Sequence, residues 1–313
     1  MMGGRKKRQR QTVGKKSPVL DRVSNARVPR TGSPAGRFVL QTSLGVGGMC
    51  EVCSAIDLRR MECGDPHPVV AVKRLLPSLV DNRKAQLALA REFFILRHLT
   101  HPGVVRVFDL HREHWGICFS MELLEGASAY SILGEHPSGM GKSGIVAGRK
   151  IFDILDYLHA HGVTHGDVKP ANIVLEQDGR LVLLDFNVTQ FSARPGLASA
   201  AMSRGLEKPL RFSAYSRLHS SPQMLWGAAP SPSCDVFSAS CTVYELLSGE
   251  HPFKMMPADQ AATRKLEPVR PTCLPGRQWK WLRRGLSFES RDRPSPRQLL
   301  AAFGERSWFK AVS

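Results

Sequence analysis

The chain has 313 residues, 42% of them hydrophobic and 23% charged, and it carries 44 Lys and Arg against 27 Asp and Glu for a formal charge of +17. That length suits two compact lobes or one large domain with tails, and the composition is that of an ordinary globular protein. No run of about 18 apolar residues appears, so no transmembrane helix is expected, and the basic start lacks the apolar stretch of a signal peptide.

Residues 1–36 hold ten Lys or Arg and one Asp. The stretch "MMGGRKKRQRQTVGKKSP" is rich in Gly, Ser, Pro and Thr, shows no apolar periodicity, and reads as a disordered tail. Its "RKKRQR" run has the composition of a nuclear-targeting or anionic-surface patch, although a solvated tail without a specific partner is the simpler reading. Nucleic-acid binding by the rest of the chain has neither a motif nor interleaved aromatics behind it.

Order is expected from Phe38. "FVLQTSLGVGGMCEVCSAIDLRR" places Val, Phe and Ile around a glycine-rich turn, the pattern of a β-hairpin. "VVAVKRLL" is a short apolar strand with one lysine inside it. Residues 84–98 have helical spacing, with Leu87, Phe94 and Leu96 on an apolar face and Lys84, Arg91 and Arg97 on a polar one. "VVRVFDLHR" and "WGICFSMELL" read as two more strands. After Gly126 helical stretches dominate ("SGIVAGRKIFDILDYLHAHG", "CDVFSASCTVYELLSG", "GRQWKWLRRGLSF", "SPRQLLAAFGE"), with the short strands "NIVLE" and "LVLLDF" between the first two. A strand-rich part of roughly 90 residues precedes a helix-rich part of roughly 180, and the junction at Leu123–Gly126 is the expected floor of a cleft. Seven cysteines fall mostly in apolar or strand-like segments. Cys50 and Cys53 lack a second pair with zinc-ligand spacing, so all seven read as small hydrophobes in a reducing compartment.

The residues that carry chemistry lie along that cleft. Gly45, Gly47 and Gly48 sit between two strands, where backbone amides can close over phosphates, but glycines in a hairpin more often only make a turn. The second strand that follows argues against a dinucleotide-binding unit, which needs a helix there. Lys73 lies on an apolar strand, a costly place for an ammonium without a partner. Glu92, nineteen residues later, is the candidate partner, set against a lysine whose head simply reaches solvent. In "HGDVKPAN", Asp167 is placed to orient a hydroxyl, Lys169 to neutralise a moving phosphoryl group, and Asn172 to offer an oxygen to a divalent ion. Asp185 follows the strand "LVLL" and faces the cleft. Positioning and charge neutralisation are what phosphoryl transfer requires, and Mg²⁺ prefers such oxygen ligands.

In these residues the chain resembles the protein kinase family, serine/threonine type, over roughly residues 38–303. The resemblance implies an α+β, bilobal fold with a small β-rich N-lobe (about 37–124), a larger helical C-lobe (about 125–305) and a short tail at 306–313. It implies that Gly45, Gly47, Gly48, Val52 and Ala71 surround ATP, that Lys73 paired with Glu92 holds its phosphates, and that Asp167 is the catalytic base with Lys169 beside it. Asn172 and Asp185 become ligands of Mg²⁺, or of Mn²⁺. Met121 would back the adenine pocket, and the backbone of Glu122 and Leu124 would bind the base. "SSPQ" resembles the end of an activation segment. Asp235, in the helix that follows, resembles the residue that anchors the catalytic loop, and Arg293 in "RDRPSP" the partner of the activation-segment acid.

Several positions depart from the family pattern. Gly166 replaces the usual arginine, which removes the guanidinium that gathers a phosphorylated activation segment and suggests activity without that phosphorylation. "HGD" also occurs in small-molecule phosphotransferases, but Lys169, "SSPQ" and "RDRPSP" argue against them. Cys50 takes the third glycine position of the loop. Asn187 takes the glycine position after Asp185–Phe186 and is expected to tolerate left-handed backbone there. Gln223 stands for glutamate, so a neutral hydrogen bond to Arg293 is expected. Ser216 is expected to supply the hydroxyl that touches the catalytic Asp and Lys. A catalytically weak scaffold on the same fold is the alternative to an active enzyme. Positive charge between Arg194 and Arg217 would favour acidic substrates or be a solvated loop, and Ser192, Ser213, Tyr215 and Ser216 are candidate phosphorylation sites. The texture is that of a compact bacterial kinase of eukaryotic type acting on an unidentified protein. A cytoplasmic location is expected, with nuclear targeting or delivery into a host cell left open.

Overall fold

The computed structural model describes residues 36–187, 189–191 and 216–304. The basic tail, Ser192, Arg194, Ser213, Tyr215 and the C-terminal residues 305–313 lie outside the described residues.

The strand-rich half is a five-stranded antiparallel sheet made of β1 (Phe38–Val46), β2 (Cys50–Asp57), β3 (Val69–Leu75), β4 (Val107–Glu113) and β5 (Gly116–Met121), in the spatial order β1–β2–β3–β5–β4. β3 is central and apolar on both faces, and its alternation sorts its side chains. Val70 and Val72 join an outer cluster with Phe38, Ala55 and Cys118. Ala71 and Leu75 join the main core, and Lys73, between them on that face, is buried. The register sets Val52 opposite Lys73 and Ala71 opposite Met121. A short helix, α1 (Leu58–Glu62), follows β2.

The helix α2 (Arg83–Arg97) starts where the Asn82 side chain accepts from the amides of Lys84 and Ala85, at 3.0 and 3.1 Å, which satisfies two of its free N–H groups. Its inner face corrects the sequence expectation. Leu87 is 39% exposed, whereas Arg91 is buried together with Ala88, Leu89, Glu92, Phe93, Ile95 and Leu96. The polar residues Arg91 and Glu92 turn inward because each has a partner there: Arg91 Nη2 donates to the carbonyl of Thr189 at 2.5 Å, and Glu92 accepts from Lys73.

The helical half contains α3 (Ala129–Glu135), α4 (Lys142–Ala160), α5 (Pro222–Leu225), α6 (Pro232–Ser248), α7 (Ala258–Thr263), α8 (Gly276–Gly285) and α9 (Pro296–Phe303). On it lie a three-stranded sheet of β6 (Gly126–Ser128), β8 (Ile173–Glu176) and β9 (Leu181–Leu183), and a two-stranded pair of β7 (Val163–Thr164) with β10 (Gln190–Phe191). This is the bilobal, α+β arrangement expected from the sequence. Every residue of α6 from Cys234 to Leu247 is buried, so the helix is the axis around which α4 and its neighbours pack. Gly249 ends it at φ 76°, and a Cβ there would lie 1.9 Å from the carbonyl oxygen of Pro137, so no larger residue fits.

A buried arginine ties α5 to the segment between α8 and α9. Arg293 Nη2 donates to Gln223 Oε1 at 2.8 Å and to the carbonyl of Phe288 at 3.1 Å, and its other nitrogens reach the carbonyls of Ser287 and Ser233. Its guanidinium also lies 4.9 Å from the centre of the Phe237 ring. Burial lowers its pKa to about 10. A carboxylate in place of the Gln223 amide would turn a neutral hydrogen bond into a charge-assisted one. The Phe288 carbonyl, which Gln223 Nε2 also donates to, would keep its bond from Arg293. Gln223→Glu is therefore expected to stabilise the fold by about 1 kcal/mol and to raise the thermal midpoint by about 2–4 °C. Differential scanning calorimetry checks this, and an unchanged or lowered midpoint contradicts it.

Candidate active site

The two halves meet around Lys73. Its ammonium lies 2.6 Å from Glu92 Oε1 and 3.1 Å from Asp185 Oδ1, joining β3, α2 and the segment after β9. Glu92 Oε1 also accepts from the amide of Phe186 at 3.2 Å, while its Oε2 is buried without a partner among the described residues. Burial alone would push the lysine toward its neutral form. The Asp185 and Glu92 carboxylates override that and raise its pKa above the usual lysine value. Burial likewise acts to raise the Asp185 pKa, but the Lys73 charge wins and holds it below the ordinary carboxylate value. Glu92 is raised by burial, with Lys73 opposing. The result is a buried cation held between an enclosed carboxylate and one that keeps 37% exposure toward the cleft.

The loop between β7 and β8 carries Asp167, Lys169 and Asn172. Lys169 Nζ donates to Asp167 Oδ2 at 2.6 Å. Asn172 Nδ2 donates to the Asp167 carbonyl at 2.8 Å and to Oδ2 at 3.1 Å, and its own Oδ1 has no hydrogen bond among the described residues. The loop's backbone hangs from Asp235 in α6, whose Oδ2 accepts from the amide of His165 at 2.8 Å and whose Oδ1 accepts from that of Gly166 at 2.7 Å. His159, at the end of α4, adds a contact of 2.9 Å to Asp235 Oδ2. His165 Nε2 lies 3.0 Å from the carbonyl oxygen of Leu184, which links this loop to the segment carrying Asp185.

The glycine-rich turn is a hairpin tip. Gly45 pairs with Val52, and the amide of Gly47 donates to the carbonyl of Cys50 at 2.8 Å, with Gly48 in the turn between them. Leu44 and Val46 are exposed there. Cys50 is buried beneath the turn, and burial pushes its thiol up to about 12 against the pull of Lys73, so it stands as a neutral thiol. At the back of the cleft Met121 ends β5. Glu122 and Leu124 follow it in the connection to the helical half. The Glu122 side chain has a task of its own: both oxygens accept from Arg180, at 2.7 and 2.8 Å, and Oε1 also accepts from the amide of Arg106 at 2.7 Å. Burial opposes the Glu122 charge, but the Arg180 fork holds its pKa below the usual glutamate value. The amide of Leu124 has no intramolecular hydrogen bond among the described residues.

Three positions behave differently from the sequence reading. The residue with left-handed backbone is Asp185, at φ 65°, and not Asn187. Instead the Asn187 side chain acts: its Nδ2 donates to Asp185 Oδ1. Ser216 meets Asp167 with its amide, at 3.4 Å to Oδ1. Its hydroxyl is 3.3 Å from His219 Nδ1, whose other nitrogen is anchored 3.1 Å from Glu245. His159, Arg180 and the Asn187 side chain were missed by sequence reasoning, because each acts through a partner distant in the chain or through an unmatched residue type.

The donor set fits a divalent ion held together with phosphates. Asp185 Oδ2 and Asn172 Oδ1 are hard oxygens, and Mg²⁺ typically takes one or two protein ligands and completes its shell with phosphate and water. Among the described residues no group of three or more His, Cys, Asp or Glu could hold a metal alone.

Gly166 sits at φ 86° with its amide tied to Asp235, a conformation that costs a side-chain-bearing residue about 1–2 kcal/mol. Gly166→Ala is accordingly expected to lower the thermal midpoint by about 2–6 °C. An unchanged midpoint would mean that the loop relaxes out of this geometry.

A protein-family model described as the protein kinase domain matches residues 38–301. The chain is 30% identical over 280 residues to the serine/threonine-protein kinase PkaA of Streptomyces coelicolor, covering 85% of this chain and 49% of that protein. It is 29% identical to the serine/threonine-protein kinase PknD of Mycobacterium tuberculosis, over 72% of this chain and 32% of the relative. It is 31% identical to the serine/threonine-protein kinase PknB of Mycolicibacterium smegmatis, over 69% and 33%. The chain thus spans half or less of the length of these relatives. The matched span takes in both halves of the fold and the whole of the cleft, and the chain belongs to the protein kinase family.

Proposed function

We propose that the chain is an active serine/threonine protein kinase that transfers the γ-phosphoryl group of ATP to a protein hydroxyl. The observation that carries the reading is the buried Lys73 ammonium, 2.6 Å from Glu92 and 3.1 Å from Asp185. An ammonium pinned in this way is a fixed positive charge for nucleotide phosphates, with no reorganisation needed when they arrive.

The roles follow from the contacts. Asp167, held by Lys169 and Asn172, orients the acceptor hydroxyl and takes its proton late in transfer. Lys169 also offers charge to the group in flight. Asn172 and Asp185 would hold Mg²⁺, or Mn²⁺, which supplies neutralisation of the developing charge on the phosphate oxygens. Met121, Val52 and Ala71 are the apolar side chains for the base, with the backbone of Glu122 and Leu124 as its hydrogen-bonding edge. Gly45, Gly47 and Gly48 form the cover over the phosphates. The joined Lys73–Glu92–Asp185 group, together with Gly166 in place of an arginine, supports activity without activation-segment phosphorylation. The acceptor is a protein serine or threonine, and the relatives' names support that class. No helix among the described residues is long and apolar enough to cross a membrane.

Transfer of label from γ-labelled ATP, with Mg²⁺ or Mn²⁺, onto the protein itself and onto generic protein acceptors tests the reading. Wild type is expected to label serine or threonine, and Asp167→Asn to lower the rate by at least about 10²-fold, the lower end of what a positioned general base contributes. A folded wild-type protein that labels nothing with either metal would instead point to a binding scaffold.

A further inference from the structure

We propose that Asn187 is a positioning residue for the divalent-ion carboxylate Asp185, a role that rests on the kinase reading of this site. Asn187 stands where the resemblance leads one to expect glycine, so the family pattern assigns its side chain nothing. Here it has two distinct ends. Nδ2 donates to Asp185 Oδ1, the same oxygen that Lys73 approaches at 3.1 Å. Two donors therefore fix the orientation of the carboxylate and engage one of its oxygens, leaving Oδ2 as the oxygen for a cation. The other end, Asn187 Oδ1, is buried and has no partner among the described residues.

Asn187 thus acts through one end of its amide: Nδ2 orients the carboxylate that would hold the ion, while the unpaired Oδ1 is the unfavourable cost of keeping the side chain in this position. Groups of this kind, which hold the ligands rather than the metal, typically change metal affinity 10–100-fold when removed.

The backbone permits a clean test. The strained conformation belongs to Asp185, and Asn187 is outside the left-handed region, so Asn187→Ala removes the amide without forcing the chain. Mn²⁺ binding to the full chain with a non-hydrolysable ATP analogue, followed by electron paramagnetic resonance and corrected for the Mn²⁺–analogue complex formed without protein, reads the effect. The proposal expects Asn187→Ala and Asn187→Gly each to weaken Mn²⁺ binding by about tenfold or more. It also expects affinity for the metal-free analogue and the thermal midpoint without metal to match wild type. Mn²⁺ affinity within twofold of wild type in both variants overturns it, as does a parallel loss of metal-free analogue binding, which would mark a general collapse of the cleft. If wild type itself holds no Mn²⁺ with the analogue, the kinase reading of the site fails first, and this inference with it.

Discussion

Taking a lysine ammonium out of water is tolerable only if opposite charge is waiting, and that constraint organises this molecule. Lys73 is buried because it lies on the core-facing side of the central strand β3. Its two carboxylates come from parts of the chain far apart in sequence: Glu92 from α2, and Asp185 from the segment after β9. Breaking such a group by removing one charge leaves another buried and unpaired, at a cost of about 3–5 kcal/mol. The sheet, the helix and the cleft-facing segment are therefore coupled through this one contact.

A second anchor serves the other side of the cleft. Asp235, inside the buried stretch of α6, takes the amides of His165 and Gly166 and a ring nitrogen of His159. It fixes the backbone on which Asp167, Lys169 and Asn172 stand. The hydrogen bond from His165 to the Leu184 carbonyl then connects this anchor with the Lys73 group. The Glu122–Arg180 fork adds a tie between the connection after β5 and the β8–β9 hairpin. The cleft is thus bounded by polar groups that are each held from behind, with apolar packing beneath them.

Much of this was legible in the sequence for identifiable reasons. Alternation placed β3, and an isolated lysine in it demanded a partner. The order Lys73, Glu92, Asp167, Asn172, Asp185 and Arg293 carried the family resemblance, because each residue type is tied to a chemical task. Gln223 was read correctly as a neutral acceptor for Arg293, since that inference needed only the residue type. The failures share a cause as well. Helical spacing put Arg91 outside and Leu87 inside, but a helix wedged between a sheet and a second lobe buries polar residues that find partners there. The hydroxyl of Ser216 was expected at Asp167, yet His219, anchored by Glu245, draws it away. Tolerance of left-handed backbone suggested a conformational role for Asn187, whereas the structure gives it a hydrogen-bonding one.

The most direct test of the central constraint is a double-mutant cycle on Lys73 and Glu92, read as unfolding free energies of Lys73→Met, Glu92→Gln and the pair. The account predicts that the two changes are strongly non-additive, with a coupling of at least about 1.5 kcal/mol, because Lys73→Met strands the Glu92 charge in the core while Glu92→Gln leaves Lys73 with Asp185 alone. Additivity to within about 0.5 kcal/mol would mean that the two groups do not meet in the folded protein. That result would contradict the account at its base.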